Sequence, residues 1–522
     1  MCSLNKIYTT KRISRMDKIK FDNQVGQLET VDRKVLNAVY DTLTYYRPGY
    51  KFTQAFKEGR WDGKICLLNR GNWTFPAGLV HWVKDIVEKK GVDIELVDLR
   101  DQSRRMPPVS NEKIAQILEG KELRDYQVDA IQSIFRSTRG IIQSPTGSGK
   151  TVIAAGAIKV GLEVGGLRTL FLTHQKELLH QTQQSFISSG IDAGIVGDGE
   201  RVFRPVTVAT VQTLYAGFEK RNHLRAITKH ANPEIMALLA SADMIILDEA
   251  HRGDAETFQL VINACKNAYY RIGLTATPLM KGVESDIKLM CVTGEVIFRI
   301  TIQDLVDRGL LAQPYIKFVR VVQPQIKLNP AGRPFTYQQA YKIGVTDNAF
   351  RNDLVVDEAV ALSAAGETVL ILVSQIGHGK RILQLLRTRY SGLSVSFIHG
   401  SKTGDERERA LDDLAKGKLN ILISSTITDE GVDIKNISAV VLAGGMKSTI
   451  KLYQRIGRAM RPKKGLNRAL IVDFIDLTNK HLAKHSLQRF TAIKEEPGFV
   501  MVSNFDTLLR PAPATIEGEK VA

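Results

Sequence analysis

From about residue 120 onward, short β-branched runs alternate with segments of helical length, and this alternation constrains the chain more than any other feature. The strand-like runs are Arg168–Thr173, Val206–Thr210, Met244–Asp248 and Arg271–Thr275. A second series holds Thr368–Val373, Val395–His399, Asn420–Ser424, Ala439–Leu442 and Ala469–Asp473. Continuous apolar strands separated by helices predict parallel sheets covered on both faces. Two such series, broken near Gly309–Gln325, predict two tandem α/β domains, over 111–310 and 311–500. Residues 501–522 are weakly patterned and read as a tail.

The first 110 residues differ. All three tryptophans (Trp61, Trp73, Trp82) fall here, among Tyr45, Tyr46, Tyr50, Phe52, Phe56 and Phe75, with 20 Lys and Arg against 13 Asp and Glu. This is expected to be a small, basic α+β domain, joined through Arg104, Arg105, Pro107 and Pro108. Most of its aromatic residues should form its own core. Trp61, between Arg60 and Lys64, is the best candidate to stack on a base.

At 522 residues the chain is too long for one hydrophobic core. Its 43% hydrophobic and 24% charged residues exclude wholesale disorder. A net charge of +17 favours a polyanionic partner, either nucleic acid or an anionic lipid surface. The most apolar stretch, Val152–Gly166, is interrupted by Lys159 and Glu163, which argues against a membrane span. Cys2, Cys66, Cys265 and Cys291 lie far apart, which excludes a disulfide scaffold and a zinc ribbon and fits a reducing compartment. Met1–Lys20 carries six basic residues and one acid but no apolar core, so it reads as a basic arm and not as a secretory signal.

Ser144-Pro145-Thr146-Gly147-Ser148-Gly149-Lys150-Thr151 follows an apolar run and opens an Ala/Val/Ile-rich segment. Two glycines let successive backbone N–H groups, and a helix N-terminus, point at phosphate oxygens. Lys150 would reach the β- and γ-phosphates, and Thr151 would offer its hydroxyl to Mg²⁺. The strict pattern has glycine where this chain has Ser144. Met244–Leu247 then runs apolar into Asp248-Glu249-Ala250-His251, placing two acids at the end of a strand, where ligands bind in open α/β sheets. Asp248 would hold Mg²⁺ and Glu249 would take the proton of the attacking water. In Gln454-Arg455-Ile456-Gly457-Arg458-Ala459-Met460-Arg461, the three-residue spacing puts Arg458 and Arg461 on one helix face, suited to charge developing on a γ-phosphoryl group.

In this order, the set resembles the superfamily 2 helicases of DEAH type over residues 120–475. The resemblance implies RecA-like domains, ATP and Mg²⁺ as ligands, and a nucleotide bound where the two domains meet. It puts Gln127 of Leu123–Gln127 on the adenine, and Thr146, Gly147, Ser148, Gly149, Lys150 and Thr151 on the phosphates. It places His251, Gly431 and Asp433 (within Ser424–Ile434) and Gln454 near the nucleotide, with Arg458 and Arg461 as finger residues. Thr275-Ala276-Thr277-Pro278 would couple hydrolysis to movement, while Thr173–Gln181 and Val208–Leu214, including Thr210, would grip a strand backbone.

Gly59–Lys64 (GRWDGK), Gly49–Phe52 and Phe75–Val80 are similar to the N-terminal module of UvsW-type phage recombination helicases. Those implications are a monomeric ATP-driven motor acting on single-stranded and branched DNA, including RNA–DNA hybrids, in a (host) cytoplasm. The alternative is an RNA-remodelling ATPase, which would share every motif of the motor.

Overall fold

The computed structural model describes residues 17–218, 232–277, 282–324, 332–425, 437–445, 449–460 and 467–509. The chain divides into two compact units, 1–143 with 151–299, and 300–522 with the short segment Ser144–Lys150.

The first unit opens with an antiparallel hairpin of β1 (Asp17–Phe21) and β2 (Val25–Glu29). A separate ribbon of β3 (Thr44–Tyr46) and β4 (Lys64–Cys66) follows. Then β5 (Thr74–Pro76) and β6 (Ile94–Asp98) complete a sheet of order β5-β2-β1-β6. Alternation turns Ile19 and Leu28 inward, where helices Arg33–Thr42 and Val80–Glu88 cover them with Val35, Val39, Val83 and Val87.

This core does not close on itself. Ile287 and Met290 of the helix Val283–Thr293 complete it. Gly78 admits that helix, since a Cβ there would fall 2.0 Å from the Met290 carbonyl oxygen. Arg100 donates to Thr138 Oγ1 at 2.9 Å, and Arg139 donates to the Asn23 carbonyl at 2.9 Å. The small domain is therefore built into the α/β domain that follows it.

That domain is an eight-stranded sheet of β7 (Arg139–Gln143), β8 (Thr169–Thr173), β9 (Ala193–Gly197), β10 (Glu200–Val202), β11 (Val206–Thr210), β12 (Met244–Asp248), β13 (Tyr270–Thr275) and β14 (Val296–Arg299). The order is β10-β9-β11-β8-β12-β13-β7-β14, and only the β9–β10 pair is antiparallel. Strands β8, β9 and β11 are buried at every position, as strands covered on both faces must be.

The second unit has a parallel sheet of β15 (Gln313–Val321), β16 (Val369–Leu372), β17 (Val395–Ile398), β18 (Ile421–Ser424), β19 (Ala439–Val441), β20 (Arg468–Asp476) and β21 (Val500–Val502). Its order is β17-β18-β16-β19-β20-β15-β21. Two ion pairs are buried against it, Arg351–Asp476 at 2.6 Å and Arg489–Asp473 at 2.7 Å. Strand β15 lies inside 309–325, where the sequence predicts a break. Lys317, paired with Glu358 at 2.6 Å, and the exposed Arg320 interrupt its apolar run. Strand β21 and the buried Phe505 carry the packing past residue 500. Two tandem parallel sheets after a small α+β domain are the architecture the sequence predicts. Among the described residues, no helix is long and apolar enough to cross a membrane.

Candidate nucleotide site and nucleic-acid surface

Strand β7 ends at Gln143, and the helix Lys150–Gly165 begins seven residues later. Between them Gly147 (φ 88°) and Gly149 (φ 87°) adopt left-handed backbone that residues with a Cβ rarely reach. Ser144 does not, so serine is tolerated there; its hydroxyl is buried and bonds the Ser148 hydroxyl. Ser148 N and Oγ both donate to the Pro145 carbonyl, at 3.2 and 2.6 Å. Lys150 Nζ reaches back to the carbonyls of Ser144 (3.2 Å) and Pro145 (3.4 Å), across the mouth of the loop. The helix is buried through Ile153–Gly161, Lys159 included.

Strand β12 delivers Asp248 and Glu249 at the same sheet end, with only β13 between β12 and β7. Glu249 has φ 48° and ψ 52°, a left-handed conformation uncommon for glutamate. Its carboxylate lies 3.2 Å from His251 Nδ1, which is also 3.3 Å from Thr275 Oγ1 at the end of β13. Thr277 N donates to the same hydroxyl at 3.2 Å. His251 thus bridges Glu249 and Thr275 from a buried position. Thr151 and Asp248 together offer two oxygen donors, a set that fits Mg²⁺, which takes its other ligands from phosphates and water.

Gln127 is buried at the start of helix Asp125–Ser137, where its carboxamide oxygen accepts from Arg124 N at 3.0 Å. Gln454 lies on the helix Thr449–Ala459. Gly431, Asp433, Arg461, Pro278 and the Arg458 side chain lie outside the described residues.

Three segments match family models: residues 18–97 match "DNA helicase UvsW, N-terminal", 120–280 "Type III restriction enzyme, res subunit", and 351–463 "Helicase conserved C-terminal domain". The chain is a superfamily 2 helicase. It is 24% identical to the ATP-dependent DNA helicase UvsW of Enterobacteria phage T4, over 85% of this chain and 88% of that one. It is also 24% identical to the DNA 3'-5' translocase XPB2 of Sulfurisphaera tokodaii, over 70% and 84%. Among solved structures, the Type ISP restriction-modification enzyme LlaBIII bound to DNA shares the fold, with a TM-score of 0.51 at 16% identity, covering 80% of this chain and 34% of that one. This helicase is an ATP-hydrolysing enzyme.

Its nucleic-acid candidates are scattered. Thr210 is buried, and its hydroxyl caps the helix Val211–Ala216 through Thr213 N at 3.4 Å. Trp61 is half-buried, with Nε1 donating to the Lys64 carbonyl at 2.8 Å, and Arg60 pairs with Glu58. An exposed aromatic cluster lies beside them, where the sequence places a core. Phe52 is 84% exposed and Tyr46 54% exposed. Tyr46 stacks on Tyr50 with centroids 4.9 Å apart, and Lys64 and Lys51 lie over these two rings at 5.5 and 5.9 Å. Gly63 permits the cluster: its φ is 83°, and a Cβ would fall 2.2 Å from the Tyr50 ring.

Proposed function

We propose that this helicase is a monomeric DEAH-type motor that couples Mg²⁺-dependent ATP hydrolysis to the remodelling of branched DNA, including R-loops. The supporting observation is that the phosphate loop and the Asp248–Glu249 pair leave one parallel sheet at the carboxyl ends of β7 and β12, strands separated only by β13. Backbone N–H groups of Thr146–Gly149 and the Lys150 ammonium bind the phosphates, and Gln127 contacts the adenine. Thr151 and Asp248 hold Mg²⁺, which when bound offsets charge on the phosphate oxygens. Glu249 accepts the proton of the attacking water, and His251 holds Glu249 against Thr275. Gly431, Asp433 and Gln454 line the nucleotide, and Arg458 and Arg461 stabilise charge on the transferred phosphoryl group.

Nucleic acid is held mainly through phosphates, with Thr210 at one backbone-gripping segment. Arg60, Trp61 and Lys64, with the Tyr46–Tyr50–Phe52 cluster, engage the branch point by stacking and charge. The N-terminal resemblance to UvsW favours DNA over RNA. The test is a panel of forks, D-loops, R-loops and four-way junctions, each scored for ATP-dependent unwinding, beside ATPase stimulation by DNA and by RNA. Unwinding of branched DNA with DNA the stronger activator is expected. Stimulation by RNA alone would replace the DNA assignment.

A further inference from the structure

Strands β8 and β12 are parallel neighbours with Leu172 opposite Leu247. One residue further, Thr173 and Asp248 end the two strands, so the chain leaves the sheet as His174 on one side and Glu249 on the other. Both ring nitrogens of His174 are buried, and neither has a hydrogen-bond partner among the described residues. A buried polar ring without a partner calls for an explanation. The charged and titratable groups facing it are Arg252, Glu249 and His251. Burial, reinforced by Arg252, pushes the imidazole down to about 4, so at working pH it is neutral, with one N–H to give and one lone pair. The carboxylate among its neighbours is that of Glu249, held in left-handed backbone.

On its other side His174 adjoins the helix Lys176–Ile187, whose cap residue Gln175 makes no side-chain capping bond. The first half of this helix, through Gln181, belongs with His174 to Thr173–Gln181, the segment assigned above to a nucleic-acid backbone.

We propose that His174 is a positioning residue whose ring N–H, unpartnered in this structure, is taken up by the Glu249 carboxylate when a strand binds, and so ties the strand-gripping segment to the group that activates water. The proposal rests on Glu249 being the general base. Strand occupancy at the helix would fix His174, and His174 would aim the carboxylate.

The experiment compares wild type with His174→Ala, His174→Asn and His174→Gln, the two amides placing an N–H near Nδ1 and near Nε2 in turn. Measured are kcat and KM for ATP at saturating single-stranded DNA, and DNA affinity by anisotropy. The alanine variant is expected to lower kcat at least about tenfold, the scale of a misplaced catalytic group. KM and DNA affinity should stay within about twofold, and one of the two amides should restore at least about half of kcat. An unchanged kcat in His174→Ala, a loss that neither amide restores, or a loss matched by falling DNA affinity would overturn the proposal. Glu249→Gln, run alongside, separates the two claims. If it is inactive while His174→Ala is normal, only the role of His174 fails. If it hydrolyses ATP normally, the base assignment itself fails.

Discussion

At residue 144 a serine replaces the glycine of the strict phosphate-loop pattern, and its backbone shows why nothing is lost. Only Gly147 and Gly149 use left-handed φ in this loop, while Ser144 spends its hydroxyl on Ser148. Ser144→Gly should therefore keep hydrolysis but lower stability by about 1 kcal/mol, from a lost hydrogen bond and a more flexible unfolded chain, read by denaturant midpoint. The four letters Asp-Glu-Ala-His were legible as chemistry. The left-handed turn at Glu249 and the His251 bridge to Thr275 were not, because neither leaves a composition signal. Glu249→Gln is predicted to bind ATP and hydrolyse it at least about 100-fold more slowly, in single-turnover assays. A wild-type rate would remove Glu249 from that role.

Among the elements, buried strands were the easiest to read, because β8 and β12 carry the apolar runs Leu170–Leu172 and Met244–Leu247 and β11 holds only Val, Ala and Thr. Strand β15 was hidden by Lys317 and Arg320, whose charges are met by an ion pair and by solvent. The N-terminal aromatic residues divide by strand parity: Tyr45 turns inward at 7% exposure and Tyr46 outward, a split that adjacent tyrosines on a strand should have suggested. Phe52→Ala and Tyr46→Ala should each weaken fork binding by roughly 1–3 kcal/mol, the usual worth of an aromatic–base stack, in anisotropy titrations. Unchanged affinity would return these rings to a protein-contact role. Point substitutions are the right probe here. Deleting residues 1–110 would expose Ile287 and Met290 of the adjoining domain and confound binding with unfolding.

Over the whole molecule, the +17 charge predicts sequence-independent binding that weakens at least about tenfold between about 50 and 200 mM salt. A flat salt response would argue against phosphate contacts. Stability should respond to acid through His378, which burial, with Arg351 and Arg381, pushes down to about 3. Below its ordinary value the unfolded chain binds a proton that the folded chain refuses. Stability is thus full above about pH 6.5 and falls by about 1.4 kcal/mol per pH unit as pH drops toward 3. His378→Gln should remove its share of that slope in thermal melts between pH 7 and 5, leaving the share of His174, which burial pushes down to about 4.

The central claim is that one phosphate loop powers the molecule, and steady-state ATP hydrolysis with and without single-stranded DNA, in wild type and Lys150→Ala, tests it most directly. Wild type should be stimulated by DNA, and the variant should show no turnover while still binding DNA; normal turnover by Lys150→Ala would contradict the account.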